Sequence, residues 1–123
     1  MRGGDRQALG LWGEEQAARY LAGKGYRLLA RRYRCRQGEL DLVMEKDGIL
    51  CFIEVKLRKN AALAQAREFV TASKRDKLRM AALSYITEHP TDLQPRFDVV
   101  EVYAPWGTQT KEPLIRHWAN AFE

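Results

Sequence analysis

"GELDLVMEKDGILCFIEVKLRK", residues 38–59, is the stretch that decides how this chain folds. "ELDLVME" alternates, with Leu40, Leu42 and Met44 on one side and Glu39, Asp41 and Val43 on the other, which is the two-residue period of an extended strand. "KDG" reads as a turn and "ILCFIEVKLR" as the returning strand, so the stretch predicts a β-hairpin. The second strand is apolar from Ile49 to Ile53, as expected where both faces of a central strand are covered. Asp41, Glu54 and Lys56 are embedded in it, although ionised side chains are costly to bury.

On the N-terminal side, Leu11, Ala17, Ala18 and Leu21 recur at helical spacing and predict a helix from Leu11 to Ala22, closed by Gly23 and Gly25. "YRLLARRYRC" reads as a strand, but its imperfect alternation leaves a helical reading open through Leu28, Leu29 and Ala30. Residues 60–70 fit either a helix or a mobile loop. Ser73 before "KRDK", with Asp76 three residues on, predicts a capped start to an amphipathic helix. Leu78, Ala81, Ala82, Tyr85 and Ile86 carry that helix to about His89, where Pro90 stops it. "RFDVVEVYA" is a further alternating strand, and the tail from Pro105 is turn-rich until "LIRHWANAF". The expectation is one α/β domain over 1–123, with a core at about 11–104 and a tail at 105–123.

A hydrophobic content of 46% with 30% charged residues is ordinary for a soluble chain, and the apolar run "ILCFI" is too short to span a bilayer. "MRGGDRQALG" lacks the apolar stretch of a secretory signal, so a cytoplasmic location is expected. Cys35 and Cys51 read as buried free thiols of a reducing compartment. The net charge of +5 is unevenly spread: residues 16–38 carry Arg19, Lys24, Arg27, Arg31, Arg32, Arg34 and Arg36 without an acid. That run fits either a polyanionic partner or a solvated basic face.

Alternation places Glu54 and Lys56 on one face, with Val55 pointing away. With the turn at Asp47 and Gly48, Asp41 falls opposite or diagonal to Glu54, within ~8 Å. At an effective dielectric near 20, two unit charges ~4 Å apart repel by about 4 kcal/mol, so the pair calls for a proton, a basic neighbour or a divalent cation. An oxygen-rich site with open positions suits Mg²⁺ or Mn²⁺, which would supply hydroxide and stabilise charge on a phosphodiester. A nearby ammonium would orient the attacking water or steady the phosphate.

An aspartate in one strand, a turn, then Glu-x-Lys in the next is the PD-(D/E)xK nuclease signature. "GEEQAARYL", "GELDLV", "FIEVKLR" and "RFDVVEV", in order over Leu11 to Val102, together resemble the YraN-like family of small bacterial predicted endonucleases, as does the ending "LIRHWANAF". That family is in turn similar to archaeal-type Holliday-junction resolvases. The resemblance implies a restriction endonuclease-like αβββαβ core, a mixed central sheet flanked by helices. It also implies Asp41, Glu54 and Lys56 as catalytic residues, and Asp41, Glu54, the Val55 carbonyl and Glu14 as ligands of Mg²⁺ or Mn²⁺. Glu39 is either an acid supporting those ligands or a strand-end partner for an arginine. The implied partner is DNA, structured DNA foremost, and the chain's own bases Arg32, Arg34, Arg36, Arg58, Lys59, Lys74, Arg75 and Lys77 are the ones expected on its phosphates. Cutting both strands of a junction would favour a homodimer. The chain departs from the family pattern at "NAALAQAREFV", before the second helix.

Each residue also has a plainer reading. Asp41, Glu54 and Lys56 fit a structural ion-pair network, and Glu14 fits a helix's first turn, where the peptide dipole favours acids. Asp98 is expected to pair with Arg96. Lys74, Arg75, Lys77 and Arg79 either clamp phosphates or coat a solvent face. Trp12, Trp106 and Trp118 either stack on bases or complete a core or an interface. His89 and His117 lack the partners of a triad or zinc site. At the level of function, the alternatives to a nuclease are a catalytically silent DNA-binding accessory protein and a scaffold that engages an acidic protein through 16–38.

Overall fold

The computed structural model describes residues 3–59 and 70–123. The elements run α1 (Gly3–Gly23), β1 (Arg27–Cys35), β2 (Gly38–Lys46), β3 (Ile49–Arg58), α2 (Ala72–Glu88), β4 (Gln94–Tyr103), a 3₁₀ turn (Gly107–Gln109) and β5 (Leu114–Phe122). The strands form one sheet in chain order, β1-β2-β3-β4-β5. Only β3 and β4 pair in parallel, because α2 carries the chain back between them. The αβββαβ core is therefore present, and its sheet is mixed.

The hairpin forms as expected. Asp47 and Gly48 sit at φ +51° and +80°, the two positive values that a tight two-residue turn needs between strands twisted like these. Apolar side chains leave β3 on both faces. Leu50 and Phe52 pack under α2 with Leu78, Ala81 and Tyr85, while Cys51 and Ile53 pack under α1 with Ala17 and Leu21. Leu40 breaks the predicted alternation, for it is buried in the α2 layer while Leu42 and Met44 lie in the α1 layer. The break falls where pairing between β2 and β3 stops, at Leu42 and Ile53.

Three boundaries differ from the sequence reading, and the reading left open for the first strand is settled. Helix α1 starts at Gly3 rather than Leu11; its early glycines are poor helix formers and masked the periodicity. The first strand is extended throughout, and a bulge between Leu28 and Ala30 explains its irregular alternation. The cap of α2 is Thr71, whose hydroxyl accepts from the Lys74 amide at 3.2 Å, rather than Ser73, which lies inside the helix. The tail is no appendage, because β5 pairs antiparallel with β4. The expectation for residues 60–70 lies outside the described residues except for Val70, which is buried. Of the two free cysteines, Cys51 is buried as expected but Cys35 only partly.

Gly13 is where α1 meets the sheet: a Cβ there would stand 2.8 Å from Leu57 Cδ2 and 3.0 Å from Leu57 Cγ. Gly13→Val should therefore lower stability by about 1–3 kcal/mol through overpacking. Urea melts of the two proteins measure this, and an unchanged midpoint would mean that the helix sits farther from β3.

Candidate functional site

The β2–β3 ladder ends at Leu42 and Ile53, and one step beyond it a side chain takes over from the backbone. Asp41 Oδ2 accepts the Val55 amide at 2.8 Å, which satisfies a half-buried N–H that β2 no longer pairs. In an extended strand a residue's N–H and C=O leave on the same side, so the Val55 carbonyl faces the same gap. Glu54 and Lys56 project from β3 on the α2 side. Docking of α2 completes a cavity of about 410 Å³ whose lining includes Glu39, Asp41, Glu54, Thr71, Lys74 and Lys77.

Glu54 is buried, and one of its oxygens, Oε1, holds two ammonium groups: Lys74 Nζ at 2.6 Å and Lys56 Nζ at 3.4 Å. Burial first, and then the charges of Glu54, Glu14 and Glu39, push Asp41 up to about 7, against the Val55 amide, which pulls it down. Burial lowers Lys56, and Lys74 adds to that, outweighing the attraction of Glu54. Lys74 moves the other way: burial alone would lower it, but its hydrogen bond and charge contact with Glu54 raise it. Lys74 was expected only as a phosphate contact. No local signal distinguishes it from Lys77 in sequence, since only docking of α2 on the sheet brings it to Glu54.

The other predicted acids have arginine partners. Both oxygens of Glu14 are held by Arg32, at 2.8 and 3.3 Å, and Glu39 pairs with Arg34 at 3.4 Å. Arg32 adopts φ +47°, a left-handed backbone rarely taken by a side-chain-bearing residue. Glu14 thus lies near enough to raise Asp41 but is committed to Arg32.

Five of the seven bases in the run 16–38 find acid partners in three dimensions. Arg19 and Arg31 pair with Glu15, Arg27 with Glu45, Arg32 with Glu14 and Arg34 with Glu39, all acids outside the run. Arg32 is therefore not a free phosphate contact. Arg58, also expected on DNA, turns inward with its side chain 19% exposed, and its Nε lies 3.7 Å from the buried Glu101. Arg36 and Lys59 are exposed, Arg75 is half-buried, and Lys77 lines both the cavity and a neighbouring hollow shared with Arg36.

Among the described residues no three His, Cys, Asp or Glu side chains converge at metal-binding spacing. Two carboxylates, Asp41 and Glu54, line the cavity, and strand geometry turns the Val55 carbonyl toward the gap whose amide Asp41 holds. Asp41 Oδ1 and Glu54 Oε2 carry no hydrogen bond among the described residues, so each has lone pairs to offer. Such an all-oxygen set fits a hard ion that keeps several waters, Mg²⁺ or Mn²⁺, and does not fit zinc.

Outside the cavity, Asp98 pairs with Arg96 as expected, at 2.8 Å. His117 is not a lone histidine, since its Nε2 lies 2.7 Å from Asp98 Oδ2. Among the described helices none is long and apolar enough to cross a membrane.

Known proteins are similar to this chain over nearly its whole length. A UPF0102 protein of Syntrophomonas wolfei is 44% identical over 115 residues, covering 93% of this chain and 96% of its own. UPF0102 proteins of Roseiflexus castenholzii and Nocardia farcinica are 40% and 42% identical, each across 98% of this chain and 97% and 94% of theirs. Residues 13–102 match the model of the Uncharacterised protein family UPF0102, a span that holds Glu14, the hairpin, α2 and β4 up to its last residue but one. On that match and those identities, the chain belongs to the UPF0102 family, the YraN-like group its motifs resemble.

Proposed function

We propose that this protein is a metal-dependent endonuclease that hydrolyses phosphodiester bonds in DNA, branched or otherwise structured DNA foremost. The observation that carries the reading is the opened end of the β2–β3 ladder, where Asp41 and Glu54 line one cavity, Asp41 holding the Val55 amide and Glu54 holding Lys56 and Lys74. Asp41, Glu54 and the Val55 carbonyl would hold Mg²⁺ or Mn²⁺. When bound, that ion supplies a water acidic enough to attack at neutral pH and a charge that stabilises the phosphate. Lys56, with its lowered proton affinity, orients the attacking water or steadies the phosphate. Lys74 holds Glu54 in place and adds positive charge to the cavity wall. Arg36, Arg75 and Lys77 extend that charge for the DNA backbone, and a homodimer would present two such sites to a junction.

The test is to incubate labelled linear, flapped and four-way DNA with Mg²⁺ or Mn²⁺. Flapped or four-way DNA should be cut faster than linear DNA, and Lys56→Ala should slow cutting by about 10²-fold. Cutting that is unchanged in Lys56→Ala identifies a contaminating nuclease.

A second reading, a DNA-binding accessory protein that does not cut, is favoured by one contact: the two ammonium groups on Glu54 already balance its charge. On that reading no DNA is cut under any metal condition, while affinity still falls with salt at a slope of ~0.9 per phosphate contact.

A further inference from the structure

The three tryptophans have different surroundings. Trp12 packs against the α1 layer, and Trp118 donates its indole N–H to Glu101 at 2.8 Å. Trp106 is 75% exposed, the most exposed of the large apolar side chains described. It does not hang on a loose loop. Its amide donates to Thr110 Oγ1 at 3.0 Å, the Gly107 amide donates to the Ala104 carbonyl at 3.0 Å, and the Gln109 amide donates to the Trp106 carbonyl at 3.1 Å. Gly107 adopts φ +58°, a turn geometry that disfavours side-chain-bearing residues, and the 3₁₀ turn packs on α1.

The indole borders an open hollow of about 350 Å³ that Lys59, Tyr103, Lys111 and Leu114 also line. Lys59 and Lys111 are exposed, with no carboxylate partner among the described residues. Arg116 lies over the Tyr103 ring at 5.4 Å, and Glu112 is the one acid on this hollow's lining. A hollow on the other flank of Trp106 carries Asp5 and no base. The flat apolar ring thus stands at the border of a basic patch. The patch is at the right end of the sheet, because Tyr103 pairs with Arg58, four residues along β3 from Glu54. At ~3.3 Å per residue that is ~13 Å from the candidate site, a few nucleotides away.

We infer that Trp106, flanked by Lys59 and Lys111, is a stacking platform for an unpaired nucleotide of the DNA strand that the candidate site engages. An indole face accepts any base, and the lysines meet the phosphates on either side of it. A base pair inside a duplex offers no such face. The inference rests on the nucleic-acid reading above and narrows its substrate to DNA with a single-stranded arm.

The test withholds metal, so that nothing is cut. The whole chain is titrated with oligothymidylate of about ten nucleotides and with blunt duplex of about twenty base pairs, following tryptophan emission and affinity. The oligonucleotide should quench the emission. Trp106→Ala should remove most of that quenching and weaken oligonucleotide binding by about tenfold, with less than about a twofold change for the duplex, and Trp106→Phe should fall between. Lys111→Gln should reduce the salt slope for the oligonucleotide by about 0.7. Oligonucleotide binding without quenching, equal losses on both probes, or no binding to either probe overturns the inference. So does a dimer that Trp106→Ala turns into a monomer, since the ring would then belong to a second copy. Cleavage is scored separately with Mg²⁺: quenching without cutting upholds the platform and removes the nuclease reading, whereas cutting without quenching removes only the platform.

Discussion

Glu54→Gln is expected to lower metal-dependent DNA cleavage by about 10²–10³-fold while leaving the protein folded. Glutamine keeps the shape of this buried side chain but removes the charge on which Lys56 and Lys74 converge. On the proposed reading it therefore takes away a metal ligand, and in any case the group on which two ammonium groups converge. The fold should tolerate the change, because the side chains of Lys56 and Lys74 are 19% and 42% exposed and are able to hydrate instead. A stability change within about 1 kcal/mol follows, consistent with ion pairs that are partly open to water. Lys74→Met, which removes a single ammonium, should cost at least about tenfold in rate without altering the metal requirement. Cleavage time courses beside thermal melts separate the two effects. A rate within about twofold of wild type in folded Glu54→Gln would remove this carboxylate from the chemistry.

Asp98→Ala should be the most damaging change to stability, at about 3–5 kcal/mol, because it removes a buried carboxylate on which two half-buried side chains and a backbone amide converge. Asp98 is fully buried. It accepts from both Nε and Nη2 of Arg96 at 2.8 Å, lies 2.7 Å from His117 Nε2, and accepts the Asn120 amide at 3.0 Å. The last contact matters most for the fold. Asn120 sits at φ +52° in the irregular part of β5, where the pairing with β4 shifts between Phe97 and Val99, and Asp98 holds the amide that this irregularity displaces. Burial alone would raise the carboxyl, but the hydrogen bonds from His117, Arg96 and Asn120 outweigh it and hold Asp98 below the usual carboxylate range. A depressed folded-state value means that the contribution is complete above the unfolded carboxylate value near 4 and is lost as pH falls through the folded value. Wild type should accordingly lose stability below about pH 4 more steeply than Asp98→Asn does, as urea melts at neutral and acid pH would show. Equal slopes would mean that Asp98 carries no such charge-dependent stabilisation.

The chain of residues alone determined the hairpin, its two-residue turn, the doubly buried β3, the amphipathic α2 and the placing of Asp41, Glu54 and Lys56 at one strand end. These features follow from side-chain periods of two and 3.6 and from a turn that only certain residues make, all of which are local properties. Tertiary structure decided the rest. It assigned five arginines of the run 16–38, which reads as a basic face, to Glu14, Glu15, Glu39 and Glu45, leaving Arg36 exposed. It turned Arg58 inward to Glu101, brought Lys74 from the next helix to Glu54, and made a fifth strand of a tail whose alternation is broken where Asn120 bonds to Asp98. Apart from Arg19 with Glu15 and Arg34 with Glu39, which are local, each partner is distant in sequence, and such an ion pair has no period along the chain to reveal it: charge acts through space, and only packing sets the distance over which it acts.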